Sequence, residues 1–250
     1  MKISIVTAVL NRVDTIRHCI DSVQSQDFPN IEHIIVDGGS TDGTAQIAKE
    51  MLRPEDIWIC ERDNGIYDAL NKGIKAATGD IVGFLHSDDF FACRSSLSRI
   101  ATGFRDHDCA AAYGDLAYVD KRFGERITRF WKAGKFSKSK FYYGWMIPHP
   151  SLYVRRTVYL EKLGFRTDFS ISADYESMIR YFVKNSLKAA YIPYVIVHMR
   201  SGGKSNVSLT NRMLANREDR RAWLVNDLVP PLCLRLLKPL RKLGQFARKK

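Results

Sequence analysis

The stretch from Asp80 to Phe90, DIVGFLHSDDF, constrains the fold more than any other part of this sequence. It is a short apolar run, rich in β-branched and aromatic residues, that ends on two adjacent carboxylates, Asp88 and Asp89. A run of this kind predicts a strand buried on both faces, as in a parallel sheet covered by helices. Ligands of such sheets bind in the crevice outside the carboxyl ends of the strands, so the two aspartates are predicted to meet a ligand.

The residues alone leave two interpretations of this aspartate pair. Neighbouring carboxylates repel each other, and a cation beside them relieves that cost. Oxygen ligands of this hardness suit Mg²⁺ or Mn²⁺. The alternative is a solvated turn at a strand end, because aspartate is common in turns.

Strand and helix patterns alternate before this stretch. The predicted strands are Ile3–Val9, Ile31–Val36 and Ile57–Cys60, and helical patterns follow each of them, the last over Tyr67–Ala77. This β-α order predicts an α/β fold with a doubly wound, right-handed parallel unit of nucleotide-binding type.

Polar side chains stand at or near the end of each predicted strand. They are Thr7, Asp37, Asp63 and the Asp88–Asp89 pair. Because the carboxyl ends of parallel strands share one edge of the sheet, these residues favour a polar ligand site over a chance set of turns.

The chain of 250 residues has 39 Lys and Arg against 27 Asp and Glu, a net charge of +12. This balance implies an anionic partner: nucleic acid, a phosphorylated small molecule or a membrane surface. Five cysteines without a C-x-x-C spacing argue against a disulfide framework or a zinc site, and they indicate a reducing compartment. The apolar run Ile3–Leu10 is too short for a signal peptide or a membrane span.

The second half of the chain is less regular. Cys109–Val119 is predicted to be a strand, and Arg126–Trp131 is predicted to pair with another strand and give the sheet a mixed edge. Basic residues alternate with aromatic residues between Lys121 and Lys140, a pattern that nucleic-acid surfaces share. No RNA-binding motif accompanies them, so a solvated loop is the favoured interpretation.

Three motifs occur in order: SIVTAVLNR, IIVDGGSTDGT and ERDNGIYDALNKGIKAATGDIVGFLHSDD. They resemble the family 2 glycosyltransferases, which have the GT-A fold and commonly build bacterial polysaccharides and cell-surface glycans. The resemblance covers roughly residues 1 to 120 and continues more loosely to about residue 200. It implies transfer of a sugar from a nucleotide-diphosphate sugar to a hydroxyl of a glycan or lipid-linked acceptor. It also implies inversion at the anomeric carbon and a divalent metal, Mg²⁺ or Mn²⁺.

The same resemblance implies roles for individual residues. Thr7 and Asp37 would line the nucleobase and ribose pocket, Asp88 would contact ribose, and Asp89 would bind the metal. One departure is that many relatives carry two acids after the second strand, whereas the second position here is Gly38. From its own strand end, Asp63 would take part in donor binding.

The predicted general base is Asp174, which lies at the start of a helical pattern in the segment ISADYE. An acid at a helix N-terminus would ordinarily compensate the helix dipole. The resemblance implies more, because the family's catalytic base is an aspartate in an acidic motif at this helix, and Glu176 remains the rival. After the predicted strand Tyr191–Val197, His198 and the basic residues behind it could bind the metal or the leaving diphosphate.

We expect three parts in the chain: a nucleotide-sugar-binding half at 1–120, an acceptor-binding and catalytic half of the same domain at 121–205, and a basic amphipathic tail at 206–250. From Leu228 onward the tail has seven Lys and Arg and no acid, with leucines at helical spacing that prolines interrupt. It is too broken for a membrane span but suits an anionic membrane surface. The alternative is a tail that packs on its own domain or frays. The expected location is the cytoplasm, peripherally at the inner face of the cell membrane.

Two other classes of protein share parts of this pattern. A sugar nucleotidyltransferase would have the nucleotide-binding half and the metal-binding acids. It would usually show a glycine-rich phosphate loop near the first strand, and VLNRVDT lacks the glycines. A non-catalytic nucleic-acid-binding module would use the basic patches. The predicted function is that of the glycosyltransferase, with no nucleic-acid partner.

Overall fold

The computed structural model describes residues 1–120, 126–201 and 209–232. The strands are β1 Ile3–Val9, β2 Ile31–Asp37, β3 Ile57–Cys60, β4 Ile81–Phe84, β5 Phe90–Phe91, β6 Ala111–Val119, β7 Ile127–Trp131, β8 Leu152–Arg155 and β9 Ala189–Arg200. The helices are α1 Ile16–Gln24, α2 Thr44–Met51, α3 Ile66–Ala76, α4 Ser96–Asp106, α5 Arg156–Glu161, α6 Ala173–Met178 and α7 Leu209–Leu224. Within the described residues, the nine strands form one sheet in the order β3-β2-β1-β4-β8-β6-β9-β5, with β7 paired to β6.

The first four strands form the predicted parallel unit. β1 is parallel to β2 and β4, and β2 is parallel to β3. The register places Val9 beside Asp37 and Asp37 beside Cys60, so three strands end at the same edge of the sheet. The predicted α/β order and the bounds of β1 and β3 are confirmed.

The second half makes the sheet mixed. β8 is antiparallel to both β4 and β6, and β6 is parallel to β9. β7 is antiparallel to β6, which confirms the predicted mixed edge. The short β5 pairs with β9 and places Phe90 opposite His198. The segment just after the aspartate pair therefore lies against the end of the long strand β9.

The sheet separates two apolar layers. On β4, Val82 and Phe84 face the layer that contains α3 and α6, whereas Ile81 faces the layer that contains α1 and α4. Such alternation follows from the two-residue period of a strand. Between them, Gly83 lies opposite Tyr153, and a Cβ atom at Gly83 would lie 2.2 Å from Tyr153 Cε1. The glycine thus makes room for an aromatic ring on the neighbouring strand.

Helix α7 belongs to the packed body of the protein. Trp223 is fully buried, and its Nε1–H donates to the Tyr175 hydroxyl of α6 at 3.1 Å. The described part of the predicted tail therefore includes a helix with a buried face, while residues 233–250 lie outside the described residues. Among the described helices, none is long and apolar enough to cross a bilayer.

Candidate active site

The loops that follow β1 and β2 are tied to each other at the carboxyl edge of the sheet. The Asn11 N–H donates to Ser40 Oγ at 2.9 Å, and the Thr41 N–H donates to Asn11 Oδ1 at 2.9 Å. Asn11 has a positive φ of 52°, a conformation that asparagine tolerates better than most residues. These bonds give the crevice a fixed rim on the side of the first two strands.

Asp37, the last residue of β2, is fully buried. Its Oδ1 accepts the N–H and the O–H of Ser40, at 2.9 and 2.6 Å, and its Oδ2 accepts the Cys60 thiol at 3.7 Å. Thr7 is also fully buried, and its hydroxyl lies 2.9 Å from His33 Nε2. Burial lowers the pKa of His33 to about 4, so the ring is neutral at pH 7. Thr7 and Asp37, the two residues predicted to line the nucleobase and ribose pocket, therefore both have hydrogen-bond partners within the protein beneath the rim.

Asp63 lies beside Gly38. Its Oδ1 accepts the Gly65 N–H at 2.9 Å, and a Cβ atom built on Gly38 would lie 2.3 Å from its Oδ2. The carboxylate of Asp63 thus occupies the space next to the position where a second acid is expected. The Asp63 carboxylate can take this position because Gly38 has no side chain.

The Asp88–Asp89 turn is held by the end of β9. Asp89 is 2% exposed, and its Oδ1 accepts the backbone N–H of Arg200 at 3.1 Å. The Arg200 Nη1 donates to the carbonyl oxygen of Asp88 at 3.0 Å. Burial, together with the charge of Asp88, raises the pKa of Asp89 well above its usual range. An ionised Asp89 is therefore costly unless a cation lies beside it.

Aromatic rings surround this turn. The Arg200 guanidinium lies over the Phe90 ring, 5.1 Å from its centroid, and its Nη2 is 2.9 Å from His18 Nδ1. The ring of His198 meets Phe90 edge-on, with centroids 5.2 Å apart. Burial lowers the pKa of His198, so its imidazole is neutral at pH 7, the form that binds metals. β5 and β9 thus bring His198 to Phe90, the residue that follows the aspartate pair in sequence.

These residues fit a divalent cation that is shared with a substrate. Within the described ranges, no group of three or more His, Cys, Asp or Glu side chains could hold a metal ion by itself. Mg²⁺, however, usually binds one or two carboxylates and takes its other ligands from phosphates and water. Within the described residues, Asp89 accepts a hydrogen bond at Oδ1, so Oδ2 is the oxygen that such an ion would take.

Asp174 lies in the first turn of α6 and is partly buried. Its Oδ1 is 3.5 Å from the Tyr67 hydroxyl, which also donates to the carbonyl oxygen of Ile171 at 2.5 Å. Burial and the charge of Asp174 raise the pKa of Tyr67 well above its usual range, so the hydroxyl keeps its proton. Tyr67 belongs to the GIYDAL segment at the start of α3, and no pattern in the sequence predicts its contact with Asp174.

Glu176 has a different environment. It is 1% exposed, and its two oxygens accept Arg180 Nε at 3.0 Å and Arg180 Nη2 at 2.7 Å. Asn226 Nδ2 donates to the same carboxylate at 2.9 Å. Both oxygens of Glu176 are thus engaged within the protein, and this carboxylate links α6 to the segment after α7.

Solved structures share this fold. Residues 1–349 of S. aureus TarS match with a TM-score of 0.68 and 18% identity, over 99% of this chain and 71% of that chain. The mannosyltransferase PcManGT from Pyrobaculum calidifontis matches with a TM-score of 0.67 and 18% identity, over 98% and 73%. Glucosyl-3-phosphoglycerate synthase from Mycobacterium tuberculosis matches with a TM-score of 0.66 and 19% identity, over 92% and 79%. These likenesses confirm the predicted GT-A fold.

Sequence comparison identifies the family. A relative from Mycobacterium bovis, a PGL/p-HBAD biosynthesis glycosyltransferase, is 30% identical over 215 residues, which cover 84% of this chain and 82% of the relative. The model of Glycosyl transferase family 2 matches residues 4–164, well over half of the chain. The strand-end motifs and the aspartate pair lie within that match. The chain therefore belongs to glycosyl transferase family 2, and it is a glycosyltransferase.

Proposed function

We propose that the enzyme moves a sugar from a nucleotide-diphosphate sugar to a hydroxyl of a glycan or lipid-linked acceptor, with inversion at the anomeric carbon. The observation that carries this proposal is the buried Asp89 beside Asp88, at the edge of the sheet where Asp37 and Asp63 also lie. Among the structures that share the fold, TarS has been crystallised with UDP-GlcNAc and PcManGT with GDP-Man, which supports a donor of this class.

The donor would lie across the carboxyl edge of the half formed by residues 1–120. Asp37 and Thr7, fixed by Ser40 and His33, would form the back of the nucleobase and ribose pocket. The partly buried Asp88 would contact ribose, and Asp63 would supply the second carboxylate beside Gly38. A thermal-shift screen of nucleoside diphosphates with Mg²⁺ would test this arrangement. We expect the nucleoside diphosphate of one nucleobase to raise the Tm of the protein. If none of the nucleoside diphosphates raises the Tm, the proposed pocket is contradicted.

Asp89 and His198 would hold Mg²⁺ or Mn²⁺. The ion, when bound, neutralises charge on the leaving diphosphate as a Lewis acid. Structural neighbours crystallised with Mn²⁺ or Mg²⁺ support divalent metal use. Arg200 keeps the aspartate turn in place through the Asp88 carbonyl, so the chain itself positions the metal-binding carboxylate.

Asp174 would take the proton from the acceptor hydroxyl, within the half formed by residues 121–205. The Tyr67 hydroxyl, which stays protonated, donates to the Ile171 carbonyl and lies 3.5 Å from Asp174 Oδ1, so it fixes the backbone before Asp174 and borders its carboxylate with a neutral group. The burial of Glu176 and its bonds to Arg180 support Asp174 over the rival acid. A single displacement assisted by one base inverts configuration, and no covalent nucleophile is required.

Gly38→Ala is expected to weaken nucleotide binding about tenfold or more, because the new Cβ atom would push the Asp63 carboxylate out of place and cost it a charge-assisted hydrogen bond. Isothermal titration calorimetry with the nucleoside diphosphate selected by the screen measures this change. The control is the same substitution in an Asp63→Ala background, where it is expected to cost little. An equal loss in both backgrounds would show that Gly38 does not act through Asp63.

The described residues also support the proposed attachment to an anionic membrane. The two acids of α7, Glu218 and Asp219, are each only 5% exposed, whereas the exposed residues of this helix include arginines and three large apolar residues: Arg212, Arg217, Arg220, Met213, Leu214 and Leu224. The charge that these exposed residues present is positive and lies beside apolar area, and in sequence a basic segment follows residue 232. Such a combination favours an anionic interface.

Sedimentation with vesicles tests the attachment. We expect the full chain to bind anionic vesicles in a salt-sensitive manner and neutral vesicles weakly, since each basic residue near the surface contributes about 1 kcal/mol. A version that ends at Asp227 lacks all seven basic residues of the segment and is expected to bind at least about tenfold more weakly. Equal binding by the two versions would reject the tail as the anchor.

A further inference from the structure

The three residues directly before α6 are held by one carboxylate from α7. Glu218 Oε1 accepts the Ser170 N–H at 2.7 Å, and Glu218 Oε2 accepts the N–H groups of Ile171 and Ser172 at 2.9 and 2.8 Å. Glu218 is 5% exposed, although it lies on a helix whose exposed side is basic. A buried carboxylate that accepts three backbone N–H groups fixes the path of that backbone, because losing it would leave three donors without this partner, one of them on the buried Ser172.

The opposite side of the same segment is held by α3. Tyr67 donates to the carbonyl oxygen of Ile171, the residue whose N–H is bonded to Glu218. The Ser172 hydroxyl adds a contact of 3.5 Å to the carbonyl oxygen of Ala215 in α7. Residue 171 is therefore fixed at its N–H by one helix and at its carbonyl by another. Asp174 follows three residues later, so its position depends on this clamp.

We propose that Glu218 is a positioning residue for the general base. It holds segment 170–172 so that the Asp174 carboxylate stays beside the Tyr67 hydroxyl and faces the acceptor. This inference rests on the proposed role of Asp174. It assigns to α7, which lies beyond the part of the chain matched by the family model, a direct part in arranging the reacting groups. Glu218 itself does not touch substrate.

The first test compares turnover with donor binding. Glu218→Gln removes the charge and one acceptor oxygen, and Glu218→Ala removes the whole carboxylate. Both are expected to lower kcat, by roughly 10-fold and 100-fold respectively, because small misplacements of a reacting group cost up to about 10² in rate. The donor KM is expected to stay within about twofold, since the clamp lies on the acceptor side. Glu161→Gln, at an exposed glutamate of α5, is the matched control and should leave kcat unchanged.

A double-variant cycle separates positioning from a general structural role. If Glu218 acts through Asp174, adding Glu218→Gln to Asp174→Asn should change the residual kcat by less than about threefold. If Glu218→Gln lowers kcat by the same factor in the wild type and in Asp174→Asn, the positioning role is overturned and Asp174 remains the base. Wild-type turnover by Asp174→Asn alone would instead reject the base, and the positioning role with it.

A milder variant acts on the clamp from the other side. Tyr67→Phe removes the hydrogen bond to the Ile171 carbonyl and the contact with Asp174 without opening a cavity. This variant keeps the inference testable if Glu218→Ala fails to fold. We expect Tyr67→Phe to fold, as checked by circular dichroism, with kcat lowered roughly tenfold and the donor KM unchanged. Wild-type kcat for Tyr67→Phe and for a folded Glu218→Gln would overturn the inference.

Discussion

Asp174→Asn is expected to lower kcat by about 10²- to 10⁴-fold while the affinity for the donor stays nearly unchanged. Asparagine keeps the size of the side chain and its contact with Tyr67, but it cannot take a proton from the acceptor. Steady-state kinetics gives kcat, and calorimetry with the nucleoside diphosphate gives the affinity. A loss of affinity that accounts for the whole change in rate would contradict a role as base.

Glu176→Gln is the matched control for that variant, two residues along the same helix. It is expected to lower the free energy of unfolding by about 3 kcal/mol, because it removes the negative charge that pairs with the buried Arg180 guanidinium. The kcat of the folded fraction should remain within about fivefold of wild type. If this variant folds but is inactive, and Asp174→Asn is active, the base is Glu176.

Asp89→Ala is expected to reduce metal-dependent turnover by about 10³-fold or more, since a Lewis acid at the diphosphate contributes several kcal/mol. Asp88→Ala should chiefly weaken donor binding, because Asp88 is proposed to contact ribose. Kinetics at a series of Mn²⁺ concentrations, with and without excess EDTA, distinguishes the two. Full wild-type activity in excess EDTA would contradict the proposed metal dependence.

The raised pKa of Asp89 allows metal binding at this carboxylate to be tested without measuring turnover. Because burial and Asp88 raise that pKa, ionising Asp89 destabilises the fold; this cost shrinks as the pH falls below the raised pKa and is absent below the ordinary pKa of an aspartate. A bound cation removes the same cost. We therefore expect Mn²⁺ to raise the Tm of the wild type but not of Asp89→Asn, and the metal-free variant to melt no lower than the wild type.

The regular parts of the fold follow from local sequence. β1 and β3 have the predicted bounds because each is a β-branched run closed by turn residues. β5, with two residues, is too short to show a period, and β8 is followed directly by helix α5 rather than by turn residues that would mark its end. Both strands exist because β9, β4 and β6 offer them backbone partners.

The arrangement of the site depends on contacts between distant parts of the chain. The sequence leaves Asp174 and Glu176 as rivals, and they differ in the structure because Arg180 and Asn226 donate to the Glu176 carboxylate, whereas Asp174 lies beside the Tyr67 hydroxyl. The Tyr67 hydroxyl reaches Asp174 across 107 positions of sequence. No local pattern carries such information.

Gly38, the first residue after β2, is a departure in sequence for which the structure supplies a physical reason. The sequence shows only that Gly38 stands where many relatives have an acid. In the structure the Asp63 carboxylate, from the loop after β3, fills the space that a side chain at Gly38 would need. The two positions are therefore linked sterically.

The most direct test is a mass-spectrometric screen of nucleotide sugars with the purified full chain, Mn²⁺ and a lipid-linked or glycan acceptor fraction. We expect that one donor is converted to its nucleoside diphosphate, that the sugar appears on an acceptor, and that EDTA and Asp174→Asn both suppress the transfer. Formation of a nucleotide sugar and pyrophosphate from a sugar phosphate and a nucleoside triphosphate, with no glycosyl transfer from any donor, would contradict it.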